Sequence, residues 1–133
     1  MIFVDTSAWF SAYVPSDPLH YRVQQLLSVS DRIVTSDYVL DETVTLLKAH
    51  GHVDRALHFG PRLLEGRAAI FEYLQPHDIE QAWIVFSQYR DKEWSFTDCT
   101  SFVLMKRLSI VNVVTLDNHF REMSGIMVAD LSA

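Results

Sequence analysis

Four acidic residues in this 133-residue chain stand where they could do chemistry. Asp5 directly follows the apolar stretch Ile2-Phe3-Val4, and Asp117 directly follows Ile110–Leu116, the most β-branched run in the sequence. If the two stretches are parallel neighbours in a sheet, both carboxylates lie at the same sheet edge. Asp98 heads a helical pattern in which Phe102, Met105 and Leu108 share its face at ~100° per residue. A carboxylate leading an apolar stripe is costly unless it is paired or binds a cation. Asp41 and Glu42 are adjacent, and the same wheel separates them. Glu42 falls at the edge of the side formed by Val39, Leu40, Thr43, Leu46 and Leu47, whereas Asp41 falls opposite, near Lys48. Glu42 is therefore the inward candidate and Asp41 the solvated one.

Singly, each acid also suits a helix cap, a turn or a helix rim; Asp98 would fit a first turn after an N-cap Thr97. Together they suggest a cluster, and clustered carboxylates repel unless protons or cations intervene. An all-oxygen set suits Mg²⁺ or Mn²⁺ better than zinc. Such a site can polarise a phosphoryl oxygen, activate water and stabilise a leaving oxygen, which is phosphodiester hydrolysis without a covalent intermediate.

Strands and helices must alternate to position these acids. Strand-like runs occur at Ile2–Val4, Arg32–Thr35, Ala68–Tyr73, Ile110–Leu116 and, as an edge, Ile126–Val128. Between them, helical spacing covers Leu19–Leu27, a helix from a Ser36 or Asp37 cap to about Ala49, Val53–Leu64, Pro76–Tyr89 and Asp98–Leu108. A short helical start at Thr6–Ala8 breaks at Val14-Pro15-Ser16-Asp17-Pro18. The alternation predicts an α/β fold with a mainly parallel sheet, whose ligands bind beyond the carboxyl ends of the strands. Trp83, Ile84, Val85 and Phe86 are expected to be an ordinary core-facing helix stripe.

With 49% hydrophobic and 21% charged residues, disorder is excluded. The charge is −6, from 11 basic against 17 acidic residues, so a general electrostatic coating of nucleic acid is not expected. A lone Cys99 excludes a disulfide framework and a multi-cysteine zinc site. Apolar runs too short for a membrane span, and no basic leader ahead of Ile2, point to a cytoplasmic protein with no membrane partner. One domain over 1–133 is the simplest organisation.

The sequence resembles the PIN-domain ribonucleases in four places. Asp5-Thr6-Ser7-Ala8-Trp9 resembles their opening motif, and Leu40-Asp41-Glu42-Thr43 the second, with Glu42 in the acidic place. Ser95-Phe96-Thr97-Asp98-Cys99-Thr100-Ser101-Phe102 resembles the third, and Val114-Thr115-Leu116-Asp117-Asn118-His119-Phe120 the fourth. Order and spacing agree across roughly residues 2 to 121. The compact form is similar to the toxin component of VapBC-type toxin–antitoxin modules. The resemblance implies a three-layer α/β/α sandwich and a metal-dependent endoribonuclease. It makes Asp5, Glu42, Asp98 and Asp117 catalytic and metal-binding, with Mg²⁺ or Mn²⁺ as cofactor. It implies supporting hydroxyls at Thr6, Ser7 and Thr115. It further implies an RNA substrate, a homodimer and a small antitoxin partner.

Arg90, Lys92, Arg107 and Arg121 flank the third and fourth motifs and could contact the RNA backbone, with Trp94 and Phe96 available to stack unpaired bases. A solvated loop with core aromatics is the alternative. His119 could contact a phosphate or simply occupy a turn, and Asn118 stands where some relatives carry a further acid. His50, His52 and His58 lack the His-Glu-x-x-His pattern and suit a solvated helix end. Other Asp-dependent phosphoryl-transfer domains fit less well. A receiver's lysine is missing after any late strand, and Ser7 stands where a dehalogenase-like phosphatase needs its second aspartate. No Gly-rich turn supports a nucleotide-binding Rossmann or P-loop domain. A non-catalytic interaction module, with the acids as caps, is the other alternative.

Overall fold

The computed structural model describes residues 1–132. Five short strands form one parallel sheet: β1 (Ile2–Val4), β2 (Ile33–Ser36), β3 (Ile70–Glu72), β4 (Asn112–Val114) and β5 (Met127–Val128). Their order across the sheet is β3-β2-β1-β4-β5, with every neighbouring pair parallel. Six helices connect them: α1 (Thr6–Tyr13), α2 (His20–Val29), α3 (Asp37–Ala49), α4 (Val53–Leu64), α5 (Pro76–Gln88) and α6 (Phe96–Arg107). A 3₁₀ turn spans Asn118–Glu122. The fold is an α/β/α sandwich.

The strands are continuous apolar runs because helices cover both faces of the sheet. Phe3, Val4, Val34, Val113 and Val114 are almost wholly buried in the same core as Phe59, Leu63, Leu104 and Met105. Helix starts follow local chemistry. Ser36 caps α3 by accepting the Val39 amide at 3.2 Å. Ser95 and Asp98 cap α6 reciprocally, Asp98 N–H to Ser95 Oγ and Ser95 N–H to Asp98 Oδ2, each at 3.0 Å. The N-cap is thus Ser95 rather than Thr97, and the helix begins two residues earlier than the apolar stripe alone predicts.

The chain steps outward from β1 through β2 to β3, then returns to the other side of β1 for β4 and β5. The reversal lies between β1 and β4. In open parallel sheets this switch point opens a crevice beyond the strand ends. The registers Ile2↔Asn112 and Val4↔Val114 bring the ends of β1 and β4 level, and the Asp5 amide donates to the Val114 carbonyl at 3.1 Å. Residues just after these two strands therefore meet.

The α5 stripe departs from expectation. Trp83, Ile84 and Phe86 are 60, 46 and 38% exposed. The face that packs inward carries Asp78 and Ala82, and α5 lies against α6. Asp78 is buried because Arg107 of α6 grips it with Nε and Nη2 at 2.8 and 3.0 Å. Burial pushes the Asp78 carboxyl up, but the Arg107 fork, the Gln75 amide and the Arg107 charge more than reverse that and hold it low.

Candidate metal-dependent nuclease site

Asp5 sits at the end of β1 and is 3% exposed. Its Oδ2 accepts from Thr115 Oγ1 at 3.0 Å and from Ser7 Oγ at 3.3 Å, while Oδ1 is buried with no partner. Thr115 Oγ1 in turn accepts the Asp117 amide at 3.0 Å, and Ser7 Oγ accepts the Leu116 amide at 2.9 Å. Two hydroxyls thus lock the end of β1 to the end of β4. Thr6 differs from them: its hydroxyl is buried without a hydrogen bond.

Asp98 enters from the first turn of α6 and Asp117 from the cap of the 3₁₀ turn, where it accepts the His119 amide at 2.9 Å. His119 Nδ1 lies 2.9 Å from Asp98 Oδ2 and 3.1 Å from Asp117 Oδ1. One ligand atom from each of Asp98, Asp117 and His119 falls within 4.8 Å of the others. Glu42 is half-buried on α3 and Asp41 is exposed, as their helical positions require. The Glu42 carboxylate is near enough to act on Asp5 electrostatically.

These charges perturb one another. Burial first, then the Asp98 charge, raises the Asp5 carboxyl to about 7, with Glu42 adding to the rise. Asp98 is raised by burial and by Asp117, with the Ser95 amide and His119 opposing. Burial opposes the His119 cation, yet the Asp98 hydrogen bond and the Asp117 and Asp98 charges outweigh it and raise its pKa. A site in which an acid holds its proton near neutrality and an imidazole is drawn between two carboxylates is short of positive charge.

The donor set meets that need with oxygens. Among the described hydrogen bonds, Asp98 Oδ2 accepts from Ser95 and His119 while Oδ1 accepts none, and Asp117 Oδ1 accepts from the His119 amide while Oδ2 accepts none. Asp5 repeats the pattern. Each aspartate is oriented through one oxygen and leaves the other open, which suits a hard divalent cation. Cys99, beside Asp98 in sequence, is fully buried and its thiol is pushed up to about 11 by burial and then by Asp98, so it is no nucleophile.

The model of the PIN domain family matches residues 2–126. The chain belongs to the PIN-domain family. It is 34% identical over 122 residues to the 23S rRNA-specific endonuclease VapC20 of Mycobacterium tuberculosis, spanning 90% of this chain and 92% of that protein. It is 30% identical over 127 residues to the Ribonuclease VapC26 of the same organism, spanning 94% and 93%. The crystal structure of VapC20, described as a Sarcin-Ricin loop cleaving toxin, matches with a TM-score of 0.86 at 30% identity, covering 92% of this chain and 94% of that one. FitAcB from Neisseria gonorrhoeae matches with a TM-score of 0.70 at 16% identity, which shows the PIN fold alone.

The flanking residues divide. Arg121 lines a groove with Thr115, Leu116, Asp117 and Asn118, at the rim of the PIN site. Arg90 is exposed. Lys92 is drawn to Glu122 at 3.4 Å, and Arg107 is committed to Asp78. Trp94 is 6% exposed, packs on Tyr89 and points its indole N–H at Glu122 at 3.4 Å, so little of its ring is available to a base. His50 and His52 pack edge-on against Phe10, away from the acids. The site residue whose role the sequence does not give is His119. Its two-residue offset from Asp117 was visible, but its contact with Asp98 spans 21 residues and needed the fold.

Proposed function

We propose that this chain is a divalent-metal-dependent endoribonuclease, the toxin of a toxin–antitoxin pair, in which Asp5, Glu42, Asp98 and Asp117 hold Mg²⁺ or Mn²⁺. The observation that carries it is the shared donor pattern: three aspartates, each tied through one oxygen and open at the other, at the switch point of a parallel sheet. Membership of the PIN-domain family and the names of VapC20 and VapC26 support RNA as substrate. A cation bound there supplies the positive charge that offsets the acids and stabilises charge developing on phosphoryl and leaving oxygens.

The chain's own residues do the rest. Ser7 and Thr115 fix the Asp5 carboxylate and keep the ends of β1 and β4 in register. Arg121 holds a backbone phosphate beside Asp117, with exposed Arg90 as an outer contact. Among the described residues no helix is long and apolar enough to cross a membrane. We assign the protein to the cytoplasm, as a homodimer whose partner is a small antitoxin. The description of VapC20 as a toxin is in keeping with that partner.

The test is cleavage of a total RNA pool with Mg²⁺, Mn²⁺ or EDTA, beside Asp98→Asn. Discrete metal-dependent fragments, absent in the variant, are expected, and end-mapping identifies the target. Because VapC20 is named for 23S rRNA, ribosomal RNA is the first pool to map. A folded protein that binds no metal and cuts no RNA would overturn the proposal. Sedimentation equilibrium measures the dimer.

A further inference from the structure

His119 touches both Asp98 and Asp117, and nothing in the donor pattern above explains why a histidine should be there. We propose that His119 is a positioning residue: its Nδ1–H, donated to Asp98, and its backbone amide, donated to Asp117, align the two carboxylates so that their open oxygens face one cation. This inference rests on the metal-dependent reading above.

Three features support it. First, His119 holds both acids through the oxygens that are not left open. Its ring meets Asp98 Oδ2 and Asp117 Oδ1, and its own amide also donates to Asp117 Oδ1 at 2.9 Å. Second, the joint it makes is between separate elements. Asp98 belongs to the start of α6, whereas Asp117 belongs to the turn after β4. Third, the residue is itself held. Phe120, next in the chain, is fully buried, and Glu122 at the end of the turn contacts Trp94 Nε1 at 3.4 Å, just ahead of the α6 cap. The ring is 30% exposed, so it is anchored from below and free above.

The tautomer follows from the neighbours. With two carboxylate oxygens beside Nδ1, that nitrogen carries the proton. Nδ1–H is present in both the neutral and the cationic ring, so the alignment does not depend on whether His119 is charged. It also means that Nδ1 is not a metal ligand. Outer-shell partners of this kind fix ligand orientation, and their loss costs ~10–100-fold in metal affinity.

The experiment uses the full chain and Mn²⁺ alone, with binding followed by calorimetry, for wild type, His119→Ala, His119→Asn, His119→Gln and Asp98→Asn. Asparagine places an amide N–H near the position of Nδ1, and glutamine reaches instead toward Nε2. His119→Ala is expected to weaken Mn²⁺ binding by about 10–100-fold, with His119→Asn recovering most of the loss and His119→Gln little of it. In RNA cleavage the same order should appear at subsaturating Mn²⁺, with KM for RNA unchanged. Wild-type Mn²⁺ affinity in His119→Ala would overturn the proposal. Recovery by His119→Gln but not by His119→Asn would also overturn it, in favour of ligation through Nε2. If Asp98→Asn also binds Mn²⁺ like wild type, the metal-dependent reading has failed. If Asp98→Asn loses binding and His119→Ala keeps it, only the positioning role has failed. Metal-free melting curves for each variant confirm that folding is intact.

Discussion

Replacing Asp5 by asparagine should make the metal-free protein more stable at pH 8. Asp5 is ionised there against burial and against the Asp98 and Glu42 charges, with its carboxyl raised from 3.8 to about 7. At ~1.4 kcal/mol per pKa unit, keeping it charged costs roughly 4 kcal/mol in the fold relative to the open chain. Asparagine can still accept the Thr115 and Ser7 hydroxyls through its oxygen, while its amide nitrogen takes the place of the unpartnered Oδ1. Relaxation and an imperfectly paired amide should leave about half, ~2 kcal/mol, a rise in Tm of roughly 5–10 °C for a domain of this size.

The sign with pH is set by the direction of the shift. A folded acid raised above its unfolded value retains its proton where the unfolded chain has lost it. Its contribution is full below the unfolded value near 3.8 and is lost as pH rises through about 7. The advantage of Asp5→Asn should therefore be largest at pH 8 and fade toward pH 4. Saturating Mn²⁺ should reverse the order, since only the intact site gains by mass action, about 2.7 kcal/mol at a hundredfold excess over Kd. Melting curves in EDTA at pH 5 and 8, then with Mn²⁺, test all of this. If wild type and Asp5→Asn melt together in EDTA at both pH values, the repulsive cluster inferred here does not exist.

Further outcomes follow from the same geometry. Asp98→Asn and Asp117→Asn should each lower RNA cleavage by more than about 100-fold, the scale of losing several kcal/mol of cation-derived stabilisation, while leaving circular dichroism unchanged. Glu42→Gln should impair cleavage severely and Asp41→Asn only mildly, because Glu42 is half-buried and its charge reaches Asp5 whereas Asp41 is exposed; equal severity in steady-state assays would reject that assignment. Arg107→Met should destabilise the fold by about 2–3 kcal/mol in urea melts, less than a fully buried pair because the guanidinium is partly exposed. Asp78 is held below its ordinary value, so its contribution is present above about pH 4 and lost as pH falls through the folded value; in Arg107→Met that acid loss should begin at higher pH.

Much of this is legible in the sequence. Asp5 and Asp117 directly follow strand-like runs, and parallel pairing of those runs as neighbours predicts that they meet. Glu42 was separable from Asp41 because the α3 wheel is unambiguous, with Val39, Thr43 and Leu47 fully buried in the fold. Other features depended on partners distant in sequence. Asp78 is buried on account of Arg107, 29 residues away, and His119 matters on account of Asp98. The α5 aromatics misled for a related reason. Trp83 and Phe86 are apolar at helical spacing, but the inward face of α5 is set by the smaller Ala82 and by Asp78, whose burial depends on its distant partner Arg107. Strand ends were also overextended: Ile110 and Leu116 flank β4 rather than belong to it.

The strand order β3-β2-β1-β4-β5 has a consequence for the cell that makes this protein. Within this sequence the first acid of the site is residue 5 and the last is residue 117. At typical elongation rates the interval is roughly 10 s. Throughout it, β1 lacks its β4 neighbour, Asp5 lacks Thr115, and Asp98 lacks the turn that carries Asp117 and His119. A nascent chain therefore emerges with its acidic site unassembled. The topology delays completion of the site until nearly the whole domain has been translated.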